Sequence, residues 1–577
     1  MRPHRSRTFP ALAAALLLGC AGERPAAPAR VPESWAHREP IVATGAHAMV
    51  VTDAPLATRV GVDVLRRGGN AIDAAIAVAF ALAVVYPEAG NLGGGGFLVA
   101  RMADGTRAAL DFRETAPRAA SRDMFLDSAG NVTDRSVIGH LASGVPGSVA
   151  GLWAAHQRLG TLPWDSLLAP AIALAWQGFT VDADFAGSVR DAADRLRRFD
   201  ASAALFLPGG SPLATGQSWR NPDLAAVLVR IATLGPAGFY GGATADLIVQ
   251  EMRRAGGLIT LQDLQDYQPK WREPVITAYR GHTIVSMPPA SSGGITLGLI
   301  TGVLDGVALA DGGWHSPRSL HFMTEAMRHA FADRNASLGD PDFVRVPAYL
   351  TDPAYASSVR AAIRPDRATP SSEVRPGMGR IAEGQHTTHF AIVDSLGNAV
   401  ALTTTINELY GSAVTVSGAG FLLNDEMDDF TAKPGVPNLF GLVQGAANAI
   451  EPGKRPLSAM TPTIVLSPDG SPLLLTGARG GPRIISAVFQ IIANVIDYGM
   501  DIGDAVYAPR IHHQHLPDEL YYETAGLDSL TLAALAAMGH TMRAFNGYIG
   551  NAPSILRRDG VWRGVADPRQ GGLASGY

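Results

Sequence analysis

Between Gly384 and Asn407 the chain reads GQHTTHFAIVDSLGNAVALTTTIN, and this stretch limits the possible folds more than any other. One strand begins at Thr387-Thr388, its partner ends at Thr403-Thr404-Thr405, and DSLGN between them forms a short hairpin loop with Gly397 in the left-handed position. Pairing Asp394 with Asn398 places Thr387 opposite Thr405, and a one-residue slip would undo that juxtaposition. Threonine is a good strand former, which is one reason for such clusters. A second reason is chemical. A strand-initial threonine released by cleavage of the preceding bond carries its own base, an α-amino group with a pKa of about 7.7–8.0, beside its hydroxyl.

The segment before this hairpin, PDRATPSSEVRPGMGRIAEGQH, has the Pro, Ser, Gly and charge content of a loop. Its abrupt end in an apolar strand is what a proteolytic junction looks like, and an ordinary surface loop has the same composition.

Other chemistries find little support. The 577 residues carry a formal net charge of -5 without a dense Lys/Arg tract, which argues against a nucleic-acid partner. Hydrophobic content of 47% against 17% charged residues marks a well-packed globular protein. Gly93-Gly94-Gly95-Gly96 leads into the strand-like Phe97-Leu98-Val99-Ala100, whereas a phosphate loop opens a helix and is followed by Lys-Ser/Thr. There is no G-x-S-x-G elbow and no H-E-x-x-H. The histidines of HHQH at 512–515 precede Leu-Pro and lack helical ligand spacing, so no metal is expected, and no cofactor.

At the N-terminus Arg2, His4, Arg5 and Arg7 precede an apolar run, Phe9 to Gly19, too short for a membrane span. The run ends in Leu17-Leu18-Gly19-Cys20, similar to the lipobox of bacterial lipoproteins, and Cys20 is the only cysteine. Residues 1–20 are therefore expected to be a lipoprotein-type signal and 21–40, rich in Pro, Ala and Arg, a flexible tether. The expected location is the periplasm or the outer membrane, with a lipid anchor as the only membrane contact. The later apolar stretch Ala71 to Val85 contains Asp73 and is predicted to be a buried core helix. Helices dominate from 145 to 260 and return at 319–339; strands return from Thr387 to Leu466, and a further helix follows near Arg483 to Tyr498.

Long stretches then match a known family. TTHFAIVDSLGNAVALTTTIN, GFLLNDEMDDF, KPGVPN, RPLSAMTPTIV, TGARGGPRI, DYGMDIGDAVYAPRIHHQHLPDEL and DPRQGGLASGY resemble the small subunit of γ-glutamyltransferases. GGNAIDAAIAVAFALAVVYPEAGNLGGGGF, DFRETAP, PPASSGGITL and EAMRHAFADRNASLGDPDF resemble the large subunit. The resemblance runs from about residue 43 to the C-terminus. It implies an α+β N-terminal-nucleophile hydrolase fold, a four-layer αββα sandwich made as one precursor and cut into a large subunit, 41–386, and a small catalytic subunit, 387–577. The two subunits would remain associated as a heterodimer.

Carried over by position, the resemblance implies cleavage between His386 and Thr387, with Thr387 as nucleophile and Thr405 as the hydroxyl that hydrogen-bonds it. Arg113 in DFRET would hold the substrate's α-carboxylate, with Ser458 assisting, while Asn407, Glu426 and Asp429 would hold its α-amino group. Gly480-Gly481 would donate to the oxyanion. The implied substrates are glutathione and other γ-glutamyl compounds, with water, amino acids or dipeptides accepting the acyl group. Such a zwitterionic ligand needs a cation and anions close together, which Arg, Asp and Glu supply.

Some positions depart from the family pattern. Ala459 stands where a second serine is common, Phe440 where an aromatic hydroxyl is often found, and Arg479 and Pro482 flank the glycine pair. They leave open an acylase for glutaryl-type side chains, as in cephalosporin acylases. A non-catalytic lipoprotein that binds γ-glutamyl peptides is the alternative of a different class.

The junction at His386-Thr387 generates a direct expectation. Purified protein should run as two bands on denaturing electrophoresis, near 40 and 20 kDa, which are roughly the masses of the two segments, and the smaller should begin at Thr387. Thr387→Ala should remain one chain, and N-terminal sequencing that finds another start would remove Thr387 as the nucleophile.

Overall fold

The computed structural model describes residues 39–374, 387–439 and 441–577. The lipobox with Cys20, nearly all of the 21–40 segment, His386 and Phe440 lie outside the described residues. Among the described residues no helix is long and apolar enough to cross a membrane.

Two seven-stranded sheets organise the chain. In one, the strand order is Leu573–Gly576, Met49–Thr52, Thr388–Val393, Ala399–Thr405, Gly95–Arg101, Arg107–Asp111 and Lys270–Arg272. The other runs Val42–Gly45, Val561–Val565, Ser554–Arg558, Pro472–Thr476, Thr463–Leu466, His282–Ser286 and Val275–Tyr279. All the ladders of both sheets are antiparallel.

Side-chain alternation shows how the first sheet is covered. Val51, Phe97, Val99, Ala391, Val393 and Ala401 join the core shared with the second sheet. Val50, Leu98, Ala100, Phe390, Ile392 and Leu402 join a separate core with the helices Pro55–Arg66 and Ala71–Val85. Because successive residues of a strand face opposite sides, both faces are apolar and the strands read as continuous hydrophobic runs. The helices Gly293–Leu304, Pro317–Ser337 and Arg483–Ile496 join the core of the second sheet.

The helix Ala71–Val85 is buried along its whole length, as its composition predicts. Asn70 caps it by accepting from Asp73 N, and Asp73 Oδ2 accepts in return from Asn70 N, each at 2.9 Å. Asp73 thus serves the helix terminus within an otherwise apolar segment.

The hairpin register is the expected one. Thr388 pairs with Thr404 and Val393 with Ala399, Asp394 N donates to Asn398 O, and Gly397 has φ 84°. Thr405 in turn pairs with Gly95. Strands are not the rule between Thr387 and Leu466, however: from Asn407 to Pro462 the chain is irregular, with short 3₁₀ turns at Glu426–Asp429 and Ala446–Asn448. Asn407, Tyr410 and Ala413 all have positive φ, which strand geometry forbids. Buried side chains replace the ladder partners, as where Asn424 Nδ2 donates to the carbonyls of Gly93 and Gly144.

The glycine run acts by its lack of side chains. A Cβ on Gly94 would overlap the carbonyl oxygen of Thr405 and press on Asn91 Oδ1. Asn91 itself donates to Thr405 O at 2.9 Å and to Thr404 Oγ1 at 3.1 Å, so this contact sets the end of the hairpin. Gly94→Ala is therefore expected to lower the thermal midpoint and to reduce kcat by about tenfold or more, as displaced catalytic groups do. Calorimetry and steady-state kinetics measure the two effects, and an unchanged kcat would show that Thr405 is positioned independently of this contact.

Candidate functional site

The pocket forms where the central hairpin ends and the irregular segment crosses it. Thr387, Thr405, Arg113, Asn407, Glu426, Asp429, Ser458, Ala459, Gly481 and Pro482 line it, together with Arg334 and an apolar wall that includes Leu442, Leu457 and Met460. The candidate residues are thus drawn from segments hundreds of positions apart. Gly480 is next to the lining rather than part of it.

Thr387 Oγ1 donates to Thr405 Oγ1 across 3.5 Å, the outer edge of hydrogen-bond range. Asn407 N donates to the same Thr405 oxygen at 2.8 Å. The amide of Asn407 is engaged, its Nδ2 donating to Asp425 O at 3.0 Å, which leaves its oxygen as the group available to a ligand.

Gly480 and Gly481 sit at the turn from Pro472–Thr476 into the helix Arg483–Ile496, with φ of 129° and 57°. Glycine meets those angles without a Cβ penalty. Neither N–H donates to an acceptor among the described residues, while both carbonyls accept from the first turn of the helix. Arg479 points elsewhere: it is buried, pairs with Glu88 at 3.2 Å and donates to the Tyr86 hydroxyl. Its backbone exchanges two hydrogen bonds with Asn551, whose Nδ2 donates to Asp53 Oδ1 at 2.8 Å. Asp53 Oδ2 accepts from Thr388 Oγ1, also at 2.8 Å. The glycine turn and the start of the Thr387 strand are therefore tied through one buried carboxyl.

Arg113 is fully buried and lies among carboxylates, the close meeting of cation and anions that a zwitterionic ligand needs. Its Nη1 lies 2.5 Å from Glu426 Oε2, its Nη2 pairs with Asp429 Oδ2, and Glu114 lies at 3.4 Å. Its backbone is held as well, with Arg113 N donating to Asp111 Oδ1 and Tyr267 donating to Arg113 O. Burial alone would depress the guanidinium, but the three carboxylates outweigh that and raise it. Burial pushes Glu426 well above its usual range against the pull of Arg113, raises Asp429, and raises Glu114 to about 7. At neutral pH the cluster therefore carries fewer negative charges than it has carboxyl groups.

Ser458 follows Pro456, whose carbonyl accepts from Arg113 Nε at 3.3 Å; Ser458 N donates to Ala290 O and its Oγ accepts from Met460 N at 3.1 Å. Ala459 follows it in the lining. The segment holding KPGVPN lies near the pocket, where Leu439 N donates to Asp428 Oδ2 and Ser136 Oγ to Asp428 Oδ1. The HHQH histidines are engaged otherwise: His512 hydrogen-bonds Ser486, His513 pairs with Asp518, and His515 Nε2 meets the carbonyls of Ser371 and Val374. Sequence reasoning missed Glu114 and Arg334. Both sit inside quoted motifs, DFRET and FADRN, and the only available signal was a charged residue within an apolar neighbourhood.

A family model for γ-glutamyltranspeptidase matches residues 57–577. A glutathione hydrolase proenzyme of Escherichia coli (strain K12) is 46% identical over 571 residues, 98% of each chain. Among solved structures, the cephalosporin acylase of Bacillus halodurans superposes with a TM-score of 0.83 at 27% identity, covering 95% of this chain and 99% of its own. The γ-glutamyltranspeptidase of Helicobacter pylori gives 0.56 at 46% identity, covering 57% of this chain and 96% of the matched one.

The tie through Asp53 has a pH signature. Burial raises Asp53 from 3.8 to about 7, against the lowering effects of Arg479, Thr388 and Asn551. A raised carboxyl favours the protonated native state, so its contribution is full below about pH 4 and is lost as pH rises through about 7. Asp53→Asn should flatten the decline of the thermal midpoint between pH 4 and 7, and an unaltered slope would mean that Asp53 is ionised throughout that range.

Proposed function

The chain belongs to the γ-glutamyltranspeptidase family, and we propose that it cleaves the γ-glutamyl amide of glutathione-like compounds through an acyl ester on Thr387. The observation that carries this reading is the meeting of two paired threonine hydroxyls with a buried cation and carboxyl cluster in one pocket. We place it in the finer class of four-layer αββα N-terminal-nucleophile hydrolases, matured from one chain into segments 41–386 and 387–577.

In this mechanism Thr387 Oγ attacks the γ-carbonyl carbon and its proton passes to the α-amino group released by cleavage. The N–H groups of Gly480 and Gly481 stabilise the oxyanion, where loss of one such donor typically costs about 10²–10³ in rate. The C–N bond then breaks, the α-ammonium protonates the leaving amine, and Thr387 holds the acyl group as an ester. Water or an acceptor amine attacks that ester in turn and restores the hydroxyl. Thr405 holds the nucleophile's oxygen in line.

The acidic cluster suits an ammonium. Arg113 alone does not balance Glu114, Glu426 and Asp429; burial raises the affinity of all three for protons, and neighbouring carboxylates add to this for Glu114 and Glu426. A ligand ammonium beside Glu426 and Asp429 supplies a second positive charge, and the carboxyls ionise as it binds. Removal of Arg113 would strand two buried carboxyls, so its loss bears on folding as well as on recognition.

We further propose export, with Cys20 lipidated and the enzyme held at the periplasmic side or outer membrane by that anchor alone.

The similarity to a cephalosporin acylase and the absence of a hydroxyl at Ala459 make glutaryl substrates the informative comparison. γ-Glutamyl and glutaryl anilides are compared with and without a dipeptide acceptor; faster turnover of the glutaryl compound would overturn the reading. If the residue-459 side chain faces the α-carboxylate, Ala459→Ser adds a charge-assisted hydrogen bond worth about 1.5–3 kcal/mol at most. KM for the γ-glutamyl anilide should then fall several-fold with kcat little changed, because the contact is remote from the reacting carbonyl.

A further inference from the structure

The nucleophile's strand carries a second polar pair that the reaction above does not use. Two residues past Thr387, His389 pairs with Thr403 in the same register that sets Thr387 opposite Thr405, and its Nδ1 lies 2.9 Å from Thr403 Oγ1. Alternation puts both pairs on the face that meets the second sheet, where Ala391 and Ala401 continue the row into the shared core. The His389 ring is fully buried, and its Nε2 has no hydrogen-bond partner among the described residues. A native structure keeps such an atom where the side chain has another task.

That task lies across the sandwich. Gly477 follows the strand Pro472–Thr476 and leads into the turn at Gly480-Gly481. A Cβ on Gly477 would lie 2.3 Å from Cε1 and 2.4 Å from Nδ1 of His389, so the imidazole rests directly on bare backbone. The φ of Gly477 is not positive, so the ring and not the chain conformation demands glycine here. Thr388, the residue between Thr387 and His389, reaches the same segment through Asp53, Asn551 and the backbone of Arg479. Successive residues of the nucleophile's strand therefore grip 477–479 at two points. Burial lowers the imidazole from 6.5 to about 3, which leaves it neutral where a general base would have to titrate.

We propose that His389 is a positioning residue for the reaction: its ring, oriented by Thr403, is the spacer that fixes the oxyanion turn at Gly480-Gly481 against the strand of Thr387. This rests on the nucleophile and oxyanion donors assigned above, and it holds for a γ-glutamyl or a glutaryl acyl group alike. The oxyanion forms between groups carried by opposite sheets, and a misplacement of about 1 Å between such groups can cost about a hundredfold in rate. Binding of the ground state uses other contacts and is spared. An apolar ring would fill the same gap without the Nδ1 contact that fixes its orientation.

The test measures kcat on matured protein, normalised to the cleaved fraction on denaturing gels, with whichever of the γ-glutamyl and glutaryl anilides the wild type turns over faster. A wild-type preference for the glutaryl compound would overturn the γ-glutamyl reading and leave this comparison intact. His389→Asn, which keeps an amide near the Nδ1 position and loses the ring, should lower kcat by about tenfold or more with KM within about threefold. Gly477→Ala should do the same, because its methyl displaces the ring. Joined to His389→Ala, it should cost less than the product of the two single effects, since the methyl then enters vacated space. Both limbs of the pH dependence of kcat/KM should survive in every variant. Should His389→Asn fail to mature, Thr403→Val, which removes the hydroxyl that orients the ring, carries the comparison and should lower kcat at unchanged KM. An unchanged kcat with a lowered thermal midpoint would make His389 a packing residue only. Multiplicative effects in the double variant would sever it from Gly477, and loss of a pH limb would make it an acid or base; each of these overturns the proposal.

Discussion

The pairing of Thr388–Val393 with Ala399–Thr405 lies in the middle of its sheet, with Met49–Thr52 on one side and Gly95–Arg101 on the other. Both faces of that hairpin are apolar and buried, so a slip by one residue would exchange the side chains that meet the second sheet with those that meet the helices. That exchange would move large groups such as Phe390 and Leu402 into space now shaped for Ala391 and Ala401. Register is therefore enforced by packing on two sides, and the approach of Thr387 to Thr405 follows from it. The hairpin presents the nucleophile from a rigid element, as a site requiring fixed geometry needs.

Around this frame the site is assembled from buried charge. Burying several carboxyls with one guanidinium is unfavourable unless protons or further cations complete the balance. The cluster of Arg113, Glu114, Glu426 and Asp429 is incomplete in that sense. A ligand ammonium would supply the missing positive charge. The electrostatics of the cluster thus suit a ligand that carries an ammonium over a simple acid.

The turn at Gly480-Gly481 and the strand at Thr387 come from opposite sheets, yet their relative position must be held closely for an oxyanion to form between them. Arg479, Asn551, Asp53 and Thr388 join them through buried hydrogen bonds. Arg479, one of the departures from the family pattern, therefore belongs to this scaffold and is not part of the pocket lining. HHQH likewise belongs to packing, since its histidines are bound to Ser486, Asp518 and the backbone near Ser371.

Local pattern was enough, in the sequence by itself, for the hairpin and its register, the left-handed Gly397 and the buried helix Ala71–Val85, because these depend on periodicity and turn chemistry. Composition misled between Asn407 and Pro462, where strand-like residues form an irregular segment: backbone partners there come from Asn424 and other side chains distant in sequence. Tertiary structure alone decided that Arg113 pairs with Glu426 and Asp429, that Arg334 joins the pocket lining, and that Arg479 pairs with Glu88. Charge pairing in a buried site depends on three-dimensional separation and desolvation, neither of which is written in the spacing of residues along one chain.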